Sequence, residues 1–175
     1  MKCLIELKHQ EAMAISYSNN GDYLMSAGKD RNIKLWNSGS GRLIKKYSGG
    51  NNYEINSIWI SHDNSFFLSS GADSNILLSD VSKGTVVTKM QGHKKKVSTL
   101  CWNYSDQLFI SGSDDNLVKV WDTREKTSVD TLNASKDSIV KVESNSDQIV
   151  SGSVDGYLQT YDIRCGVVYL DYLND

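Results

Sequence analysis

The chain has 175 residues, 39% hydrophobic and 23% charged, and its 19 basic against 21 acidic side chains leave a formal net charge of −2. One ordinary domain is the default at this length, and the charge balance argues against holding nucleic acid on a bulk basic face. No apolar run approaches the roughly 18 residues of a membrane span, and Glu6 interrupts the first apolar stretch too early for a secretory leader. Proline is absent, and Cys3, Cys101 and Cys165 have the spacing of neither a disulfide framework nor a zinc site, which fits reduced thiols in a cytosolic or nuclear compartment.

In chain order, residues 3–7 read as a lone short strand, and four similar segments follow. The first passes through the polar turn Asn19-Asn20-Gly21-Asp22, then Ser26-Ala27-Gly28-Lys29-Asp30, then the alternating Ile33 and Leu35, to Trp36-Asn37. The second alternates through Ile55, Ile58 and Ile60, then runs by Phe66-Phe67-Leu68 and Ser69-Ser70-Gly71-Ala72-Asp73 to Ser79-Asp80. The third alternates through Val97, Leu100 and Trp102, turns at Tyr104-Ser105-Asp106, and continues by Ser111-Gly112-Ser113-Asp114-Asp115 to Trp121-Asp122. The fourth carries Ser151-Gly152-Ser153-Val154-Asp155 and ends at Tyr161-Asp162. A further strand is predicted after each closing dipeptide, at 43–47, 85–90, 128–132 and 167–170. Asp30, Asp73, Asp115 and Asp155 succeed one another at intervals of 43, 42 and 40 residues. Short strands of period two with closely spaced turns predict an all-β chain with next to no helix.

A period of about 40–45 residues closed by a Trp-Asp-type dipeptide is the pattern of four strands per propeller blade. On these residues the chain resembles the WD40-repeat family. The resemblance implies a polar chain of His, Ser, Asp and Trp in each repeat. Its members here are His9, Ser26, Asp30 and Trp36, and then, complete, His93, Ser111, Asp115 and Trp121. The second repeat keeps Ser69 and Asp73 but has Asn51 for histidine and Ser79 for the indole; the fourth keeps Ser151 and Asp155, has Tyr161 for the indole, and lacks the histidine. Such a network stabilises only when every member is satisfied.

Two stretches narrow the resemblance. Tyr47-Ser48-Gly49-Gly50-Asn51-Asn52-Tyr53-Glu54-Ile55 with Asp63-Asn64-Ser65 is one; Ser151 through Gly156-Tyr157 to Tyr161-Asp162-Ile163-Arg164 and Asp171-Tyr172 is the other. They are similar to the mitogen-activated protein kinase organizer family, WD-repeat scaffolds also associated with the spliceosome. That implies a non-enzymatic adaptor in cytoplasm and nucleus, with kinases or splicing factors as clients. It implies neither a cofactor nor a small-molecule substrate. The expected organisation is one WD40 domain over 1–175, with a lone outer strand at about 2–8 and blades at about 9–49, 50–91, 92–133 and 134–174. Five outer strands against four inner sets is what part of a wider ring, of about seven blades by resemblance, is expected to show. An open arc exposes two apolar end faces, so self-association through them is expected.

No residue is expected to catalyse or to bind metal. His9 and His93 fall at the structural network position, His62 in a solvated turn, and Cys101 between Leu100 and Trp102 in a strand. No nucleophile elbow or phosphate loop is present. Binding is expected on the rim that carries the Asp turns and the repeat starts. Its candidates are Arg31, Tyr53, Lys94, Lys95, Lys96 and Tyr157, because exposed aromatics and arginines anchor interfaces. A loop tyrosine covering its neighbour, and a lysine run that is merely solvated, are the plain alternatives, and direct binding of nucleic acid is not expected. Trp121-Asp122-Thr123-Arg124 and Tyr161-Asp162-Ile163-Arg164 resemble the box of WD40 substrate receptors of cullin-type ubiquitin ligases, where Arg124 and Arg164 would reach an adaptor. Each arginine pairing with the aspartate two residues before it is the alternative.

Overall fold

The structure, a computed structural model, describes residues 6–48, 50–133, 135–164 and 166–172, with nothing described for the side chains of 167–172. The lone strand expected at 3–7 lies largely outside the described residues; Glu6 and Leu7, which lie within them, carry no strand.

The strands form four-stranded antiparallel meanders. The first blade is β1 (Ala12–Tyr17), β2 (Tyr23–Gly28), β3 (Ile33–Asn37) and β4 (Leu43–Tyr47). The second is β5 (Ile55–Ile60), β6 (Phe66–Gly71), β7 (Ile76–Asp80) and β8 (Val86–Met90). The third is β9 (Val97–Trp102), β10 (Leu108–Ser113), β11 (Val118–Asp122) and β12 (Ser128–Leu132), and the fourth is β13 (Ile139–Ser144), β14 (Gln148–Ser153), β15 (Tyr157–Asp162) and β16 (Val167–Tyr172). No helix occurs among the described residues. The first strands of successive blades are neighbours, β1 beside β5, β5 beside β9 and β9 beside β13, and no comparable contact joins β13 to β1. The blades therefore form an open arc with their last strands outermost.

Strict alternation does not bury Ile55, Ile58 and Ile60 together. A bulge does: the register of β5 on β6 shifts between Ile55 and Ser57, which resets the side-chain phase by one residue. The same shift occurs between Ala12 and Ala14 and between Ile139 and Lys141. It brings the Glu54 carbonyl so close to Gly71 that a Cβ there would lie 1.9 Å from the oxygen. In the third and fourth blades Ser113 and Ser153 stand at this place, and their hydroxyls donate to the carbonyls of Lys95 and Asp137.

The core lies in three seams between blades rather than in one centre. Met25, Ile33 and Leu35 of the first blade meet Ile55, Ile58 and Phe67 of the second. Leu68, Ile76 and Leu78 meet Leu100, Trp102, Phe109 and Trp121. Ile110, Val118 and Val120 meet Ile139, Val142, Ile149 and Tyr161. The second and third blades thus each bury one face on the predecessor and the other on the successor, as stacked repeats must.

Hydroxyls stitch the inner strands. Ser57 Oγ accepts the Leu100 amide at 3.1 Å and Thr99 Oγ1 the Val142 amide at 3.3 Å. The arc leaves two faces without a neighbour among the described residues. Ile15 and Tyr17, at the places of Ile58 and Ile60, are 65% and 61% exposed against 2% and 5%, and on the fourth blade Val150 and Leu158 are only half-buried.

Candidate functional site

In the third blade Trp121 Nε1 donates to Ser111 Oγ at 2.7 Å, and His93 Nε2 lies 2.7 Å from the same oxygen. His93 Nδ1 sits 2.9 Å from Asp115 Oδ2. The direction follows from the donors available. The serine oxygen accepts from the indole and donates its single proton to the imidazole, so the other ring nitrogen carries hydrogen and donates to the carboxylate. The histidine is neutral, and Asp115 also accepts the amides of Lys94 (2.9 Å) and Leu117 (3.2 Å). Burial would raise the Asp115 carboxyl, but these amides and His93 hold it below the usual carboxylate range.

Burial lowers the His93 pKa from its ordinary 6.5, and the Lys119 ammonium adds to that effect against the opposing pull of Asp115. The unfolded chain therefore takes up a proton before the folded one, and this contribution to stability, full above about 6.5, is lost as pH falls towards the folded value. Thermal melts are expected to be level near neutrality and to drop below about pH 6.5. The slope is expected to flatten in His93→Asn, and equal slopes in the two proteins would remove His93 from the account.

The first blade repeats the chain, with His9 Nδ1 2.6 Å from Ser26 Oγ, Nε2 3.0 Å from Asp30, and Trp36 Nε1 donating to Ser26 at 2.8 Å. Its imidazole presents the opposite nitrogens from those of His93. In the second blade Asn51 Oδ1 accepts from Ser69 Oγ at 3.3 Å, while Asp73 is engaged by Asn75. The fourth blade is rebuilt: the Tyr161 hydroxyl and Ser135 both donate to Gln159 Oε1. Ser151 Oγ is buried with no hydrogen-bond partner among the described residues. Sequence reasoning missed Gln159, although its place two residues before the indole substitute, matching Lys119, was a usable signal.

These chains set the rim. Arg31 Nη1 reaches across the first seam to the Asn52 carbonyl at 3.2 Å, and beside that anchor Tyr53 stands 56% exposed. Tyr157 opens β15, is only half-buried, and gives its amide to Asp155 at 3.1 Å. The side chains of Lys94 and Lys95 are exposed and that of Lys96 is half-buried, while their backbone serves the turns through the Ser113 and Asp114 bonds to the Lys95 and Lys96 carbonyls.

On the opposite rim Arg124 makes two parallel bonds to Asp122, and Arg164 does the same to Asp162 while also reaching Asp147 at 3.5 Å. His62 lies in the turn as expected, its side chain partly exposed, and is tied there as well: its Nδ1 lies 2.7 Å from Asp106, whose carboxylate also accepts the amides of His62 and Asp63. Beside it, His62, Trp102, Tyr104 and residues 144–146 line an open hollow of about 520 Å³. Cys101 is buried, and burial pushes its thiol up to about 12.

The description of the WD domain, G-beta repeat fits residues 1–37, 41–80 and 84–122. The chain belongs to the WD40 repeat family. A WD40 relative, WD repeat domain-containing protein 83 of Xenopus tropicalis, is 37% identical over 171 residues, 97% of this chain and 54% of its own length. Ribosome biogenesis protein WDR12 homolog of Trichoplax adhaerens is 40% identical over 72 residues, 39% of this chain and 17% of its own. Among solved structures, U3-55K superposes with a TM-score of 0.89 at 24% identity over 94% of this chain and 53% of that one. The chain spans about half the length of the WD repeat domain-containing protein 83 it matches, and the WD40 propeller is the fold they share.

Proposed function

We propose that this WD40 chain is a non-catalytic platform on which other proteins dock, through the rim that carries Tyr53, Arg31 and Tyr157. The match to WD repeat domain-containing protein 83 supports the repeat family, and resemblance to the kinase organizer group is the basis for proposing signalling kinases or splicing factors as clients, in cytoplasm and nucleus. The shorter match to a ribosome biogenesis protein makes ribosome biogenesis the competing setting. The reading rests on Tyr53, a large exposed aromatic beside a loop that Arg31 pins from the neighbouring blade, because rigid aromatic anchors carry interface energy. His9 and His93 are buried inside structural contacts, which supports a non-enzymatic role. Arg124 and Arg164 are both committed to carboxylates of their own blades, which favours the scaffold over the ubiquitin-ligase receptor. We further propose that the apolar end faces drive self-association.

Affinity purification with mass spectrometry tests the rim. Proteins recovered with the parent chain are expected to fall at least tenfold with Tyr53→Ala, a loss of about 1.4 kcal/mol or more, and to survive nuclease treatment. Unchanged recovery with both Tyr53→Ala and Tyr157→Ala would end this reading, and recovery abolished by nuclease would replace it with RNA binding.

A further inference from the structure

The three seams share one backbone plan but are not filled alike. In the middle seam Trp102 is buried against Phe109, their ring centroids 5.8 Å apart, and its indole donates to the Trp59 carbonyl. At the matching place in the first seam stands Ile60, whose shorter side chain leaves part of the volume empty. The result is a cavity of about 320 Å³, floored by Met25, Leu35 and Ile60 and edged by Tyr23, Ile44 and Lys45. That is the lower end of the size of ligand sites, about 300–1,000 Å³, and room for one large side chain.

The floor is apolar, and the polar residues that complete the lining, Ser18, Asn64 and Ser82, are already bonded to Asn20, Asn19 and Asp80, so little is left to select a polar small molecule. The edge is charged. Lys45 Nζ bonds to the Ser82 carbonyl and lies 5.2 Å from the Tyr47 ring centroid, and among the described residues it has no ion-pair partner. Asp80, on the adjoining turn, is held by Lys83 and the Ser82 hydroxyl. The third seam supplies the contrast. Its smaller hollow, about 200 Å³, is edged by Asp130, which occupies on β12 the place of Lys45 on β4.

We propose that the seam between the first two blades is a peptide-docking groove, taking a leucine- or phenylalanine-sized side chain flanked by carboxylates in an extended segment of a partner protein. The apolar side chain fills the space that Trp102 fills in the next seam, and the flanking carboxylate meets the ammonium of Lys45. The inference rests on the protein-docking reading but uses no rim residue, so either can fail while the other stands.

Fluorescence anisotropy with a labelled acetyl-Glu-Glu-Leu-Phe-Glu-Glu-amide probe and its lysine counterpart, acetyl-Lys-Lys-Leu-Phe-Lys-Lys-amide, tests it. The acidic probe is expected to bind at least tenfold more tightly than the basic one. Ile60→Trp, which gives the first seam the residue of the second, is expected to abolish binding without lowering the melting temperature. Lys45→Glu is expected to reverse the probe preference and decides the point should Ile60→Trp melt early. Tyr53→Ala is expected to leave probe affinity unchanged. No binding up to about 1 mM, or equal affinity in Lys45→Glu, would overturn the groove.

Discussion

Trp121→Ala is expected to remove most of the folding free energy of the chain. The indole is fully buried, stacks on Phe109 at 5.9 Å with the rings 5° from parallel, and contacts the His93 ring at 6.0 Å. Truncating a buried tryptophan costs about 3–5 kcal/mol in lost packing and cavity formation. Ser111 also loses a donor, and a buried polar group left short costs a further 1–3 kcal/mol or so. Against the roughly 5–15 kcal/mol that hold a domain together, the sum leaves little. Urea denaturation followed by circular dichroism, with Tyr53→Ala expected to stay within about 0.5 kcal/mol of the parent, measures it. A loss below about 1.5 kcal/mol would mean that the seam relaxes around the hole and the polar chain is dispensable.

Ile15→Asp is expected to change the sedimentation of the chain rather than its stability. The parent should sediment at micromolar concentration as a species larger than one chain, and the variant as a single chain with a similar melting curve. Ile58, Leu100 and Val142 are covered by the blade before them, and Ile15 occupies the same place with no described residue over it. The face that covers such a position, Val150 and Leu158 of the fourth blade, belongs to the other end of the arc. On the proposed self-association a second copy would meet the first end to end, a heterologous contact that either closes or propagates. Two copies supply eight blades, within the range of about 4–8 in closed propellers. Burying one isoleucine is worth about 1.5–3 kcal/mol, which a charge at that site forfeits. A parent chain that sediments as a single copy would refute the end-to-end contact.

The strands were legible because their causes are local. Alternation over five or six residues, a polar turn, and an aspartate at a fixed interval specify β1 to β16 without reference to anything distant, and so they specify the fold. The bulge that buries Ile55 with Ile58 left only a broken alternation, which reads as noise until the Glu54 carbonyl is seen against Gly71. Rim residues were placed from repeat position, but not their state: Tyr53 is exposed while Tyr157 is half-buried. Several contacts between blades join residues more than 40 positions apart, as His62 and Asp106 do, and no local pattern announces them. The cavity at Ile60 is visible only by asking what the next blade puts at the same register. Gln159 shows the same limit from the other side, because a substitution for an absent histidine need not occupy its position.

The turns between the first two strands of each blade have a polarity. Asn64 and Asp106 occupy left-handed backbone, with φ of 60° and 53°, and from there each side chain reaches back to an amide of the preceding turn, Asn19 for one and His62 for the other. In the fourth blade Asn145 instead caps its own loop, accepting the amides of Asp147 and Gln148. Every clasp is thus supplied by a later blade to an earlier one. Asn64 and Asp106 thus lash the first three turns to one another and the lashing stops short of the fourth, so along this rim the fourth blade is the first to part.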